Sequence, residues 1–464
     1  MPHPIVCQDE RLHQYLHSFQ ALFSRPQYEH FVTVLMGLLL GEGGHTLSHL
    51  HRAVSGKKSL SSLSRFLSEA PWNHQYVIQY NFSRFYRDMQ PKIEKERQKV
   101  LEELKKKNRG GRHPTPFVTG YLIGDDSTMF KPKGVKMQGI GRHHSTTHDT
   151  QVIGHSLVQC LYTILGRYCP LEPLIYRQQK TAEKEGVPFL SKIDLMIQQI
   201  QNFDPPSGTV THVLLDSWYN CKLLWKAALD RKFKITTGIR RNRWLRVSCE
   251  VTPTTPKGWK WQRLDNYAAS LAEGAYQLCS CPRNPKKKVW VHVVDTRVRK
   301  LYRCKIIIVR KSLNDPISAA RFWVTSDLEA DAQTCLNVIS IRWEIEVFFE
   351  DMKGLFGIDQ YQIMTTTGLL RYWTLCWIAF SFLEEVRYDI KQDKDNKGQV
   401  GQKIEIEQEC EKDFYKCQKV LYNATLGQAR RKVQEIHQQL FLEWVYHHAL
   451  SGMPVKQLHA LLIA

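Results

Sequence analysis

The sequence predicts an α/β core interrupted by a β-rich insertion, with helical regions at both ends. Three observations carry this. Two apolar runs, Phe117-Val-Thr-Gly-Tyr-Leu-Ile-Gly124 and Thr209-Val-Thr-His-Val-Leu-Leu215, read as buried strands, and each delivers a carboxylate at its end: Asp125-Asp126 and Asp216. The second is followed by a loop and a helical pattern over Cys221 to Leu229, the strand–loop–helix order in which functional side chains sit beyond strand ends. Glycine- and proline-free Arg342-Trp-Glu-Ile-Glu346-Val-Phe-Phe-Glu-Asp-Met-Lys353 reads as a helix whose one stripe carries Arg342, Glu346, Phe349 and Lys353.

Five blocks follow from the composition along the chain. Residues 1–112 read as helical, with short helices at Thr46 to Val54 and Ser59 to Ser68 making either a helix-turn-helix-like pair or part of an ordinary small helical bundle. Ser61, Ser62, Ser64, Lys57, Lys58 and Arg65 there suit phosphate contacts. A long helix from about Trp72 to Lys107 runs into the basic linker Lys105-Lys-Lys-Asn-Arg-Gly-Gly-Arg112. Residues 113–237 form the first part of the core, with Val152 to Leu165 and Phe233 to Thr237 as further strands. The gap between Asp216 and Glu346 is far longer than the next helix needs, so residues 238–321 read as an insertion. Its β-branched, Trp and basic residues suggest an antiparallel sheet laid outside the core. Trp259, Trp261 and Trp290, interleaved there with Lys and Arg, suit a nucleic-acid surface on which a base can stack. Residues 322–390 complete the core. Residues 391–464 begin with a charged stretch to about Lys412 and continue as helix, with an amphipathic Phe441-Leu-Glu-Trp-Val-Tyr446.

The chain has 464 residues and a formal net charge of +20, with Lys and Arg spread throughout. Faces so charged fit a polyanion, duplex DNA first. The apolar runs Phe31 to Leu40 and Tyr372 to Leu383 fall short of a bilayer span, and neither a signal peptide nor a lipidation motif is evident. A soluble cytoplasmic protein with no membrane partner is the expectation. The twelve cysteines include no CxxC pair and read as reduced thiols.

Three carboxylates from separate parts of a chain are the oxygen donors that two divalent ions need for phosphodiester chemistry, and Arg342 and Lys353 are placed to grip flanking phosphates. His143, His144 and His148 read as polar residues near a turn or a DNA phosphate; as ligands they would suit Zn2+ or Cu2+ better than Mg2+. The choice between Asp125 and Asp126 as first ligand stays open on the residues alone.

The order Asp, Asp, β-rich insertion, then Arg-x3-Glu-x6-Lys resembles the bacterial insertion-sequence DDE transposases with a Tyr-Arg-Glu-Lys signature. Asp125-Asp-Ser-Thr-Met-Phe-Lys-Pro-Lys-Gly134, Leu214-Leu-Asp216-Ser-Trp-Tyr219 and Phe322-Trp-Val-Thr-Ser-Asp327 are similar to that family's segments around the two aspartates and before the signature helix. Leu426-Gly-Gln-Ala-Arg-Arg431 is a looser match. The resemblance implies a ribonuclease-H-like catalytic core, cut-and-paste DNA transposition by endonucleolytic cleavage and joining, and Mg2+ as cofactor with Mn2+ as substitute. Asp125, Asp216 and Glu346 would be the catalytic metal ligands; Asp125 is preferred to Asp126 because Lys131 then falls at the family's spacing. Lys131 and Lys133, with Arg342 and Lys353, would contact DNA. Partners would be double-stranded DNA, as terminal inverted repeats and target, and a second subunit of a homodimer, in a nucleoid-associated setting. One position departs: Ile339 stands where the signature has Tyr. A degenerate copy that binds terminal repeats without cutting, and a nuclease of the same fold that hydrolyses without joining, are the competing readings.

Overall fold

The computed structural model describes residues 9–54, 59–107, 116–145, 149–253, 255–396 and 425–458. Lys57, Lys58, His148, linker residues 108–112 and the charged stretch 397–412 lie outside these.

The chain opens with α1 (Glu10–His17), α2 (Arg25–Leu40), α3 (Leu47–Ala53), α4 (Leu60–Ser68) and α5 (His74–Lys107). Local chemistry sets their starts: the side chains of Asp9, Thr46 and Ser59 accept hydrogen bonds from the first free amides of α1, α3 and α4. The apolar sides of α3 and α4, Leu50, Leu63, Phe66 and Leu67, join α2 in one core.

The sheet begins with β1 (Val118–Phe130), β2 (Gly141–Ser145), β3 (Thr150–Ile164), β4 (Arg167–Pro170) and β5 (Leu174–Tyr176). After α6 (Gln179–Glu185) and α7 (Lys192–Asn202) come β6 (Thr209–Leu215), α8 (Lys222–Asp230) and β7 (Lys234–Gly238). β1, β6 and β7 run parallel, while β3 lies antiparallel on the other side of β1. This mixed α/β arrangement around a central sheet is consistent with a ribonuclease-H-like core. β1 runs on past the two aspartates to Phe130, because β3 pairs with it as far as Phe130↔Gly154 although β6 stops at Leu215. The aspartates therefore sit within a strand, not beyond one.

The segment after β7 contains β8 (Trp244–Ser248), β9 (Trp259–Arg263), α9 (Leu264–Ala269), β10 (Gln277–Cys281), β11 (Asn284–Arg297) and β12 (Arg303–Arg310), followed by β13 (Arg321–Thr325). Among the described residues, only β8 and β9 form a separate two-stranded ribbon. The expected outlying sheet is corrected here: β10, β11 and β12 pair in antiparallel order onto β13, and β13 pairs with β7. The sheet order is thus β10-β11-β12-β13-β7-β6-β1-β3-β2. The physical reason is the open edge of β7, whose unpaired backbone groups β13 satisfies.

The chain then forms α10 (Ala332–Ile341), α11 (Glu344–Phe356), α12 (Thr366–Asn396) and α13 (Leu426–Leu450). α12 is buried on nearly all sides, through Tyr372, Trp373, Leu375, Cys376, Trp377, Ile378 and Phe382, as befits a helix at the centre of a bundle. It packs with α2, α4, α5 and α13, so both ends of the chain build one helical layer. Alternation along the strands gives the sheet two faces. Ile123, Met129, Leu157 and Leu214 face this layer and α11, whereas Leu122, Val158, Val213 and Leu215 face α5, α7 and α8. Among the described residues, no helix is long and apolar enough to cross a membrane.

Arg371 of α12 holds the bundle's entry. It is buried, and its guanidinium donates to Leu67 O at 2.8 Å and Trp72 O at 2.6 Å while stacking on the Trp72 ring. Arg371→Met keeps much of the volume but leaves two buried carbonyls without donors, so chemical denaturation is expected to show a loss of about 2–4 kcal/mol.

Candidate active site

The parallel pairing of β1 with β6 ends at Gly124↔Leu215, which puts the next residues, Asp125 and Asp216, side by side on neighbouring strands. Pleating decides which way each points. Asp125 follows Ile123 by two and Asp216 follows Leu214 by two, so both carboxylates lie on the face that meets α11. Asp126 points to the opposite face. There it pairs with Lys192 at the start of α7 and accepts a 2.9 Å hydrogen bond from the Tyr219 hydroxyl. The one-residue ambiguity between Asp125 and Asp126 resolves into two different surroundings.

Two glycines allow the close approaches this requires. A Cβ on Gly124 would lie 2.6 Å from Met196 Sδ of α7. At Gly238, the end of β7, a Cβ would lie 2.9 Å from the backbone nitrogen of Ser217, directly after Asp216.

Glu346 comes from the first turn of α11, whose Ile345, Phe348, Phe349, Met352 and Phe356 are buried in the core shared with the helical layer. The uninterrupted helix expected over 342–353 is corrected: α10 ends at Ile341 and α11 begins at Glu344. Arg342 and Trp343 stay in right-handed helical backbone, bridged by i→i−3 bonds such as Glu346 N to Trp343 O, so the stripe survives the break. Arg342 reaches Glu346 Oε1 at 2.5 Å and Asp125 Oδ2 at 3.6 Å, with the Trp323 ring of β13 beside it. The guanidinium thus bridges the helix-borne and strand-borne carboxylates. Burial works against its charge, but Glu346, Asp125 and Asp216 more than offset that and raise its pKa. Ile339, at the departing signature position, is buried between α10 and the sheet extension.

The other expected residues fall in several places. Lys353 is half-buried on α11; burial lowers its pKa and Asp359 opposes the shift. Lys131 turns inward. Its ammonium donates to the carbonyls of Asp359 and Tyr361 and lies 3.9 Å from the centroid of the Tyr361 ring, and burial pushes its pKa down to about 8. Lys133 is exposed. Trp259 and Trp261 are half-buried neighbours on β9, with Arg246 of β8 stacked over Trp259 at 4.7 Å. Trp290 is half-buried on β11 against the core beneath the sheet. His143 is buried near Tyr176, and burial pushes it down to about 4. Lys192, Tyr219 and Trp323 were not singled out from sequence. Tyr219 and Trp323 lie inside the two segments similar to the family's, 214–219 and 322–327, and Lys192 lies in neither.

Residues 180–382 match the family described as the transposase DDE domain. Over that stretch the chain is similar to a transposase DDE domain. The match contains Asp216, Arg342, Glu346 and Lys353 and begins after Asp125, Lys131 and Lys133. No curated protein matches the chain. A transposase domain of this family uses divalent metal ions and acts on DNA. The hard oxygen donors of Asp125, Asp216 and Glu346 fit such an ion chemically. As they stand they are not closed around one: among the described residues, no three His, Cys, Asp or Glu side chains form a group able to hold a metal, and Arg342 bridges Asp125 and Glu346.

Burial pushes the Asp125 carboxyl up to about 7; Arg342 opposes the shift, and Asp126 and Asp216 add to it. The sign for stability follows. From about pH 4 to about pH 7 the folded chain keeps a proton that the unfolded chain has lost, so stability falls as pH rises through that window. Asp125→Asn removes this term. In chelator, its unfolding midpoint is expected to lie above that of the wild type at pH 8 and to match it near pH 4, as read by thermal melts across the range.

Proposed function

We propose that this protein is a DNA transposase that cleaves phosphodiesters at the ends of its element and joins the freed 3′ ends to new DNA, by a two-metal-ion cut-and-paste route. The observation that supports this reading best is the meeting of Asp125 and Asp216 on parallel strands with Glu346 opposite, within a chain similar over residues 180–382 to a transposase DDE domain.

Asp125, Asp216 and Glu346 would hold the ions, Mg2+ or Mn2+. When bound, the ions supply Lewis acidity, activating water and neutralising charge at the phosphodiester. The remaining work belongs to the chain. Glu346 joins the ligand set when Arg342 turns away from it, and the freed guanidinium offers its planar fork to a flanking phosphate. The Trp323 ring limits where that fork can go. Lys353, about two turns further along the same stripe, adds a second cation. Lys131 positions the loop at 359–361 through its two carbonyl acceptors, leaving Lys133 for phosphate contact. The β8–β9 ribbon, with Trp259, Trp261 and Arg246, offers a basic aromatic surface for DNA.

The test is cleavage and joining with Mg2+ on DNA carrying the element's own ends, wild type beside Glu346→Gln. Products from the wild type alone, with at least a thousandfold loss in the variant and DNA binding unchanged, are expected. Binding by both with products from neither would favour the non-cutting terminal-repeat binder. Hydrolysis without joined product would favour a nuclease, and equal activity would remove Glu346 from the site.

A further inference from the structure

The face of the sheet away from Asp125 carries a small polar cluster in an otherwise apolar layer. Asp126 is its centre. Its backbone N–H donates to Asp125 Oδ1 at 2.8 Å, while its own carboxylate is held by Lys192 and by the Tyr219 hydroxyl at 2.9 Å. Tyr219 is 1% exposed and ends the tight turn Ser217–Tyr219 that Asp216 begins, its N–H bonded back to Asp216 O at 3.1 Å. The next residue, Asn220, donates to Gly238 O at 2.9 Å, tying the same turn to the end of β7. One unbroken path of hydrogen bonds therefore runs from the Asp125 carboxylate through Asp126 and Tyr219 to the backbone of Asp216.

We propose that Tyr219 and Asp126 are positioning residues that set the spacing of Asp125 and Asp216 from behind the sheet, and that Lys192 balances the charge of Asp126 so that this tie is made without a third free carboxylate beside the pair. The inference rests on the reading of Asp125 and Asp216 as metal ligands. Strand pairing alone cannot hold the two, because β6 leaves the ladder at Leu215 and Asp216 belongs to a turn. The ladder fixes Asp125; the Tyr219–Asp126 bond transfers that register to Asp216. Burial of Tyr219 makes the tie rigid, since its ring fills space between the sheet and α8 in the core that also holds Leu215 and Leu224. Lys192 approaches from the first residue of α7, a helix whose start is set by the Ser191 capping box. Residues that orient metal ligands are worth about 10–100-fold in metal affinity or activity.

Mn2+ binding to the full chain without DNA tests this apart from activity, using paramagnetic detection of free ion. Tyr219→Phe removes one hydroxyl and is expected to weaken Mn2+ binding at least tenfold while thermal melts in chelator show a folded protein. Asp126→Ala is expected to weaken binding as well, and the double variant no further than Asp126→Ala alone, because both changes break one bond. Wild-type affinity in Tyr219→Phe, or losses that simply add, would overturn the proposal. Asp216→Asn separates the two levels of argument. If it binds Mn2+ as the wild type does, or the wild type binds none, the metal-ligand reading itself fails and this inference with it.

Discussion

Two carboxylates held side by side on adjacent parallel strands are the constraint around which the rest of the site is arranged. With Gly124 opposite Leu215 the following aspartates are brought together and the pleat turns both to one face, while the turn that follows β6 completes the placement of Asp216. Like charges so close in a half-buried setting resist ionisation, which is why burial and the neighbouring aspartates hold the Asp125 carboxyl up near neutrality. The fold answers with Arg342, a cation that stays charged in a buried position and bridges to Glu346. The cluster is thus one of three carboxylates around a single buried cation.

Glu346 reaches the aspartates from a different body of structure. The strands carrying Asp125 and Asp216 belong to the sheet, whereas α11 is seated by Phe348, Phe349, Met352 and Phe356 in the helical layer. That layer is assembled from both ends of the chain. Arg430 of α13 is buried and donates to Leu355 O of α11 and to Leu39 O and Gly41 O at the end of α2. Its guanidinium thus satisfies carbonyls that two helix ends leave free. The angle at which Glu346 is offered to the sheet depends on residues far from it in sequence, at both ends.

Much of this was legible in the sequence, for physical reasons that also mark where legibility stops. Thr209–Leu215 is rich in β-branched and aliphatic residues and its last five are buried, so it reads as a strand, and the carboxylate after it stands out. Which of Asp125 and Asp126 turns toward Asp216 was settled by pleat and register, which adjacent identical residues cannot reveal. The break between α10 and α11 left no trace because Arg342 and Trp343 remain helical in φ and ψ; only the hydrogen-bond pattern changes. Lys131 reads as a surface cation, yet its acceptors are carbonyls at 359 and 361, contacts no local pattern encodes. The destination of β10, β11 and β12 was hidden for a related reason: alternation marks a strand but not the edge it joins.

That last point changes how the insertion relates to the chemistry. Strands β10 to β13 are bonded to β7 in one ladder, and α10 packs on them through Cys335, Leu336 and Ile339 against Val289, Val291, Ile307 and Trp323. At the end of α10, Arg283 from the β10–β11 turn donates to Ser340 O at 3.2 Å and Glu344 Oε1 at 2.7 Å. These contacts bracket Arg342, whose guanidinium lies beside Trp323. The junction that carries the bridging arginine is therefore gripped on both sides by the insertion. The interruption between α10 and α11 is therefore set by the insertion's Arg283 together with the short-range backbone bonds across it.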